Sequence, residues 1–592
     1  MRALIYESSD PFRFLPEGDR VNAVNHSFMR RFTFMLCVLL WASPLLVQAE
    51  PLLEKNQHTA IRAEKAMVTS GEPLATHVGT TILNQGGNAV DASTAVALAL
   101  AVTLPRAGNL GGGGFCLVLD REGEVHALDF RETAPQALHR EFYLDEKHSS
   151  RQGASAAGVP GTVAGLWAMH RKFGVLPWKQ VVEPAERLAR EGFPASGWLN
   201  DGVTSSEELL SAYPATKAIF LPGDKPPTVG KLFIQKDLGR TLKRLAEKGP
   251  DDFYRGRTAQ LLVDGIQEAG GVMTAEDLNG YEAAWRKPVK GDFRGYTVWS
   301  MPPPSSGGIH LLQMLELTES LDTEPALLNS AAHLHRLAEA MRLAYCDRAR
   351  YLGDPDFVDV PTERLLSPEY LQEREALIPE TKAGDSEELA PDLFQSPAPE
   401  SPDTTHFNVV DADGMAVSFT YTLNFSYGSG FMAPGTGFLM NNEMDDFNAK
   451  PGLPNAYGLI GSAANDVEPG KRPLSSMTPT LITKDKRFYA ALGAPGGSRI
   501  INGVFQATYN LLGYGLNAQT AVTMPRIHHQ WYPDQIRYEF GVSSDTIEIL
   551  EARGHECEPI YAVAHVLAIV RDPDGHLEAG LDPRRPAYAE GY

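Results

Sequence analysis

Two periodicities divide this chain. From Ala75 to Leu104 apolar residues follow a helical spacing, with Leu74, Val78 and Ile82 on one stripe and Gly86-Gly87 ending the first helix. Asp91 opens a second, Ala-rich helix whose small side chains predict close burial against a sheet or another helix. After Asn109 the run Gly111–Gly114 leads into strands expected over Phe115–Leu119 and Val125–Phe130, the second delivering Arg131 at its end. The stretch from Pro160 to Glu375 reads as mostly helical, with Trp167, Leu188 and Leu209 among its apolar positions. Within it, the Pro-rich loop Met301–Gly308 opens a helix over Ile309–Leu321. Beyond Thr404 the period falls to two, in short runs over His406–Val410, Ala416–Thr422, Gly437–Met440, Thr480–Thr483 and Tyr489–Gly493. A helix-rich part followed by a strand-rich part predicts a layered α+β body with packed sheets. Between them Ala383–Asp403 is acidic and Pro-rich, which by composition is a flexible linker. No internal repeat is visible.

The 592 residues are 43% hydrophobic and 21% charged, ordinary globular usage. A net charge of -21 and the lack of a basic stripe argue against a nucleic-acid partner. Arg30-Arg31, the apolar run Phe32–Val47 and the small-residue pattern Val47-Gln48-Ala49 form an export signal over residues 29–49. Residues 1–28 fit no part of such a signal and read as an extension ahead of the natural start. The apolar run is short for a membrane span and holds Pro44, and no later segment is long and apolar enough to cross a bilayer. The expected product is exported, periplasmic or secreted, with no stable membrane partner. Beyond the signal, Cys116, Cys346 and Cys557 lie far apart, which favours buried free thiols over a disulfide scaffold or a thiolate metal site.

The chemistry concentrates at Asp403-Thr404-Thr405-His406-Phe407. A threonine hydroxyl is a poor nucleophile without an adjacent base, and cutting the bond before it turns its own α-amine into that base. Taken alone, Thr404 is a strand-starting threonine; its company gives it the sharper reading. The Gly111–Gly114 run precedes a strand, not a helix, and lacks Gly-Lys-Ser/Thr, so it is no phosphate loop. The pairs His528-His529 and His333/His335 have no carboxylate pattern to complete a metal site. Neither metal nor cofactor is expected.

Several stretches together resemble the γ-glutamyltranspeptidase family, from about Ala66 to Tyr592. They are Ala107–Phe115, Asp129–Glu132, Gly158–Thr162, Pro302–Gly308, Thr404–His406, Asn441–Phe447, Arg472–Met477 and Pro495–Arg499. The resemblance implies an N-terminal-nucleophile hydrolase fold, a four-layer αββα sandwich built jointly by a large subunit, residues 50–403, and a small one, residues 404–592. It implies cleavage between Asp403 and Thr404, and a Thr404-bound γ-glutamyl ester formed from glutathione or related compounds and passed to water, an amino acid or a peptide. Arg131, with Ser475 and Ser476, would bind the substrate α-carboxylate. Glu443 and Asp446, with Asn424, would hold the α-ammonium. Gly496 and Gly497 would form the oxyanion hole, and Thr422 would orient Thr404. Ala449–Gly458 resembles a lid loop, with Tyr457 over the bound glutamyl group. A glutaryl or cephalosporin acylase on the same scaffold is the alternative. Two departures from the family pattern stand out, Leu567 where a polar residue is expected and the segment Gly580–Arg584. Both are expected to affect local packing rather than activity.

Overall fold

A computed structural model describes residues 58–390, 404–448 and 462–592. The signal, Asp403 and Tyr457 lie outside the described residues. Two seven-stranded, wholly antiparallel sheets form the centre. The first runs in the order Tyr588–Gly591, Met67–Ser70, Thr405–Val410, Ala416–Thr422, Gly113–Leu119, Val125–Asp129, Ala284–Arg286. The second runs Ile61–Ala63, Leu577–Leu581, Leu567–Arg571, Arg487–Gly493, Thr480–Lys484, Tyr296–Ser300, Val289–Phe293. Strands from both sides of Thr404 are interleaved in each sheet.

The alternation of the central hairpin explains how the layers stack. Phe407, Val409, Val417, Phe419 and Tyr421 point to one face and join the apolar core with the helix Ala89–Thr103, every residue of which is buried. Burying each such side chain is worth roughly 1.5–3 kcal/mol. The opposite face carries His406, Asn408, Ser418 and Thr420 and meets the second sheet through polar links. Ser418 Oγ donates to Leu492 O at 2.8 Å, and Asn408 Nδ2 to Leu567 O at 3.1 Å. Helices Gly307–Leu317 and Ile500–Leu512 pack on the second sheet's strands. The layers are therefore helix, sheet, sheet, helix.

Several expectations shift. The Ala-rich helix starts at Ala89, capped by Asn88, with Asp91 completing the capping box. Gly437–Met440 is not a strand but an irregular turn, bridged once between Met440 and Gly111. The segment read as mostly helical hides the hairpin Val289–Phe293/Tyr296–Ser300, turned by Arg294 and Gly295, both at positive φ. The first residues of the expected linker are docked. Ser386 is buried, its N–H donates to Asp534 Oδ2 at 2.9 Å, and its carbonyl accepts from Trp531 Nε1 at 2.8 Å. Cys116 and Cys346 are buried free thiols, whereas Cys557 is half-buried.

Gly493 lies directly against the His406 imidazole, so an added Cβ would strike that ring. Gly493→Ala should cost about 1–3 kcal/mol through overpacking of the inter-sheet layer, read as a lowered thermal midpoint; a midpoint equal to the parent's would contradict this packing.

Candidate active site

Hairpin register places Thr404. Thr405 pairs with Tyr421, so one further step sets Thr404 opposite Thr422, both on the face turned to the second sheet. Thr404 is 7% exposed and lines a cavity of ≈ 330 Å³ together with Thr422, Asn424 and Gly497. The same cavity is lined by Arg131, Glu443, Asp446, Ser475 and Ser476. Nine of the residues expected at the site are thus gathered from segments far apart in the chain. Gly496 adjoins it through Gly497.

Local chemistry fixes each group. The glycine run admits close backbone approach: a Cβ on Gly112 would strike Thr422 O, and one on Gly111 would strike Leu439 O. Asn109 joins these pieces, donating to Thr422 O at 2.9 Å and accepting from Gly112 N at 3.0 Å and Thr162 Oγ1 at 2.7 Å. Asn441 does the same on the other side, donating to Gly111 O at 2.8 Å and Gly158 O at 2.9 Å. Its Oδ1 accepts from Glu443 N at 3.0 Å, holding the short turn Glu443–Asp446 against the glycine loop. Asn424 sits at φ 76, its N–H donating to Thr422 Oγ1 at 2.9 Å and its Nδ2 to Asn442 O at 3.0 Å. Gly496 and Gly497 have φ 154 and 61, conformations that favour glycine, and open the short turn Gly497–Arg499 that leads into the helix Ile500–Leu512.

The charges are arranged as a buried cluster. Arg131 follows the strand Val125–Asp129, is wholly buried, and donates to Glu443 Oε1, to Asp446 Oδ2 and to Pro473 O. Burial opposes its charge, but Glu443 and Asp446 outweigh it and raise its pKa. Burial raises the carboxyls of Glu443 and Asp446 despite Arg131. Ser475 Oγ accepts from Met477 N at 3.1 Å, and Ser476 Oγ accepts from Arg348 Nη2 at 3.3 Å.

Arg348 is the site residue that sequence reasoning missed. It lies in the helix Ala331–Tyr351, lines the cavity, and has its pKa pushed down to about 10, chiefly by burial, with Arg131 adding to the effect. Its signal was slight: one arginine near the end of a long helix, before Leu352-Gly353-Asp354-Pro355. The two departures from the family pattern are also placed differently from expectation. Leu567 and Asp582 both line a second cavity that reaches Thr404, so they adjoin that residue. The histidines considered for metal binding sit in hydrogen-bond networks. Against expectation a carboxylate does join them: His335 Nδ1 meets His555 Nε2 at 2.8 Å with a Glu339 oxygen within 4.8 Å of both, while His335 Nε2 meets Pro379 O at 2.8 Å. His528 meets Asn502 and Gln530, and His529 meets Asp534.

Glu132, beside Arg131, is wholly buried; among the described residues neither carboxylate oxygen has a hydrogen-bond partner, and Arg131 Nη1 is 3.8 Å away. Burial, opposed by Arg131, pushes its pKa up to about 8. Its folded value lies above the ordinary 4.5, so the stability it contributes is complete below that pH and lost as pH rises through about 8. Glu132→Gln should flatten the fall in urea-unfolding free energy between about pH 5 and about pH 8; a slope identical to the parent's would refute the assignment.

Comparisons with known proteins agree with this geometry. A family model described as Gamma-glutamyltranspeptidase matches residues 75–592. The glutathione hydrolase proenzyme of Escherichia coli (strain K12) is 44% identical over 573 residues, covering 95% of this chain and 98% of its own. Among solved structures, cephalosporin acylase from Bacillus halodurans superposes with a TM-score of 0.79 at 29% identity, over 91% of this chain and 97% of that one. Helicobacter pylori γ-glutamyltranspeptidase superposes with a TM-score of 0.52 at 40% identity, over 55% of this chain and 95% of that one. The stacked sheets between helices are the N-terminal-nucleophile hydrolase fold, and the chain belongs to the γ-glutamyltranspeptidase family.

Proposed function

We propose that this protein is a γ-glutamyl hydrolase and transferase that cuts itself before Thr404 and then acts on glutathione and related γ-glutamyl compounds. The observation that carries the reading is the pairing of Arg131 with Glu443 and Asp446 in the cavity that Thr404 lines. A γ-glutamyl head group is a zwitterion, and this cradle offers both signs within one pocket. Its α-carboxylate would take Arg131, Ser475 and Ser476, with Arg348 as a second cation. Its α-ammonium would take Glu443, Asp446 and the Asn424 side chain.

Maturation starts with attack of Thr404 Oγ on the Asp403 carbonyl; the acyl group shifts from nitrogen to oxygen and water cleaves the ester. Among the described residues no imidazole lines this cavity, and the two carboxylates that do are engaged by Arg131. The freed α-amine, with a reference pKa of about 7.7–8.0, is then the base that takes the Thr404 proton. Thr422 would hold the hydroxyl in line. The oxyanion formed at the γ-carbonyl would be held by the N–H groups of Gly496 and Gly497, each worth about 3 kcal/mol in systems of this kind. The amine half leaves, and water or an acceptor amine resolves the Thr404 ester. Tyr457, in the loop expected to act as a lid, would cover the glutamyl group during this step. The Met29–Ala49 signal would carry the protein out of the cytoplasm; among the described residues no helix is long and apolar enough to cross a membrane.

The acylase alternative has support in the likeness to cephalosporin acylase. A glutaryl donor lacks the ammonium, however, and would leave Glu443 and Asp446 without a substrate cation. Release of an aryl amine should therefore favour a γ-glutamyl over a glutaryl donor by at least about 100-fold in kcat/KM; the reverse order would install the acylase reading. The purified protein should run as two bands on a denaturing gel, with Thr404 first in the smaller one. Thr404→Ala should give one full-length band and no turnover, and normal processing of that variant would end the nucleophile assignment.

A further inference from the structure

The helix Ala331–Tyr351 supports the site at two places. Tyr345 and Arg348 are three residues apart, so their side chains leave the helix on one face, and both are buried. Arg348 donates from Nη2 to Ser476 Oγ at 3.3 Å and from Nε to Ser306 Oγ at 3.1 Å. Ser306 Oγ in turn donates to Ser475 O at 2.8 Å, so this arm braces the serine pair. Tyr345 does not line the Thr404 cavity. Its hydroxyl donates instead to Ser498 O, one residue beyond Gly497. The turn it grips is short and closed on itself: Arg499 N donates to Gly496 O at 3.2 Å, and the N–H of Ile500 donates to Gly497 O. Ser498 Oγ adds a second tether, donating to Gln530 Oε1 at 2.8 Å. Gly496 and Gly497 have no side chains to fix their own peptide planes, so the orientation of those planes depends on what holds the turn from outside.

Resting on the function proposed above, we infer that Tyr345 is the positioning residue of the oxyanion turn. Its hydroxyl, by holding Ser498 O, keeps the N–H groups of Gly496 and Gly497 aimed at the γ-carbonyl oxygen as that carbon becomes tetrahedral. Two residues one helical turn apart then carry separable duties. Arg348, through its own charge and through Ser476, acts on the α-carboxylate of the glutamyl head, which is present before, during and after the reaction. Tyr345 acts only on charge that develops at the transition state, and a donor displaced from that charge loses most of its effect. The Tyr345 ring also packs edge-on to the His528 ring at 5.9 Å, so a phenylalanine there would keep the packing and lose only the hydroxyl.

The test compares Tyr345→Phe and Arg348→Lys with the parent in glutathione hydrolysis, with free glutamate as a competing ligand for the head-group cavity. Tyr345→Phe should lower kcat and kcat/KM equally, by about 10-fold, and leave the inhibition constant of glutamate unchanged. Arg348→Lys should give the opposite split: kcat close to the parent's, with kcat/KM and glutamate affinity both reduced about 10-fold. A general loosening of the core would weaken glutamate binding in Tyr345→Phe as well, and that result would overturn the inference. So would a Tyr345→Phe enzyme with the parent's kcat, and either result would leave the γ-glutamyl reading standing. Absence of γ-glutamyl turnover in the parent would overturn both. Fragment pattern and thermal midpoint are read for each variant. Should Tyr345→Phe fail to fold or mature, Gln530→Met, which releases the other tether of the same turn, carries the comparison under the same criteria.

Discussion

The arrangement depends on placing a guanidinium where water cannot reach it. Arg131 has no solvent to stabilise its charge, so its carboxylate partners must come to it. That requirement ties the end of the strand Val125–Asp129 to the turn Glu443–Asp446 and, through Pro473 O, to the segment bearing Ser475 and Ser476. The glycine loop allows the approach and Asn441 holds it. Replacing the cluster by apolar residues of equal volume would be expected to stabilise such a core. In the proposed function the cluster is preorganised: a substrate zwitterion would meet charges already oriented, with little left to rearrange.

Much of this was legible in the sequence, for identifiable reasons. The period-two runs Thr405–Val410 and Ala416–Thr422 define a hairpin, and its short turn sets the register that brings Thr404 to Thr422. Residue type disclosed much of the rest, since an arginine at a strand end and paired carboxylates after Asn441-Asn442 have few apolar roles. What escaped was either locally disguised or non-local. The hairpin Val289–Ser300 alternates buried and exposed positions, yet it is short and set within a largely helical stretch that masked it. Arg348 occupies a helix position that nothing nearby distinguishes; only its tertiary neighbours Ser306 and Ser476 reveal it. Ser386 lies in a stretch whose composition says linker, but its contacts with Asp534 and Trp531 come from more than a hundred residues away.

The same reasoning explains how one scaffold serves both transferases and acylases. The two sheets and the threonine position belong to the fold, while the charges belong to loops and turns set at the sheet ends. Under the proposed function, altering a turn such as Glu443–Asp446 would change the accepted acyl group while leaving in place the polar layer of His406, Asn408 and Ser418 between the sheets. The family likeness to acylases therefore identifies the framework, and the charge pattern discriminates within it.

The interleaving of strands has a consequence for the lifetime of the protein. In the first sheet Thr405–Val410 lies between Met67–Ser70 and Ala416–Thr422, and the chain's end, Tyr588–Gly591, pairs with that same early strand. If the bond before Thr404 is severed as proposed, neither piece would possess a complete sheet, and each would be the other's folding template. Assembly occurs while the polypeptide is still continuous and the pieces are held at high effective concentration. After unfolding, the severed pieces can diffuse apart, and regain of structure becomes a second-order process that slows on dilution. Self-cutting at that bond would thus turn a reversible fold into one whose persistence is governed by how slowly it comes apart.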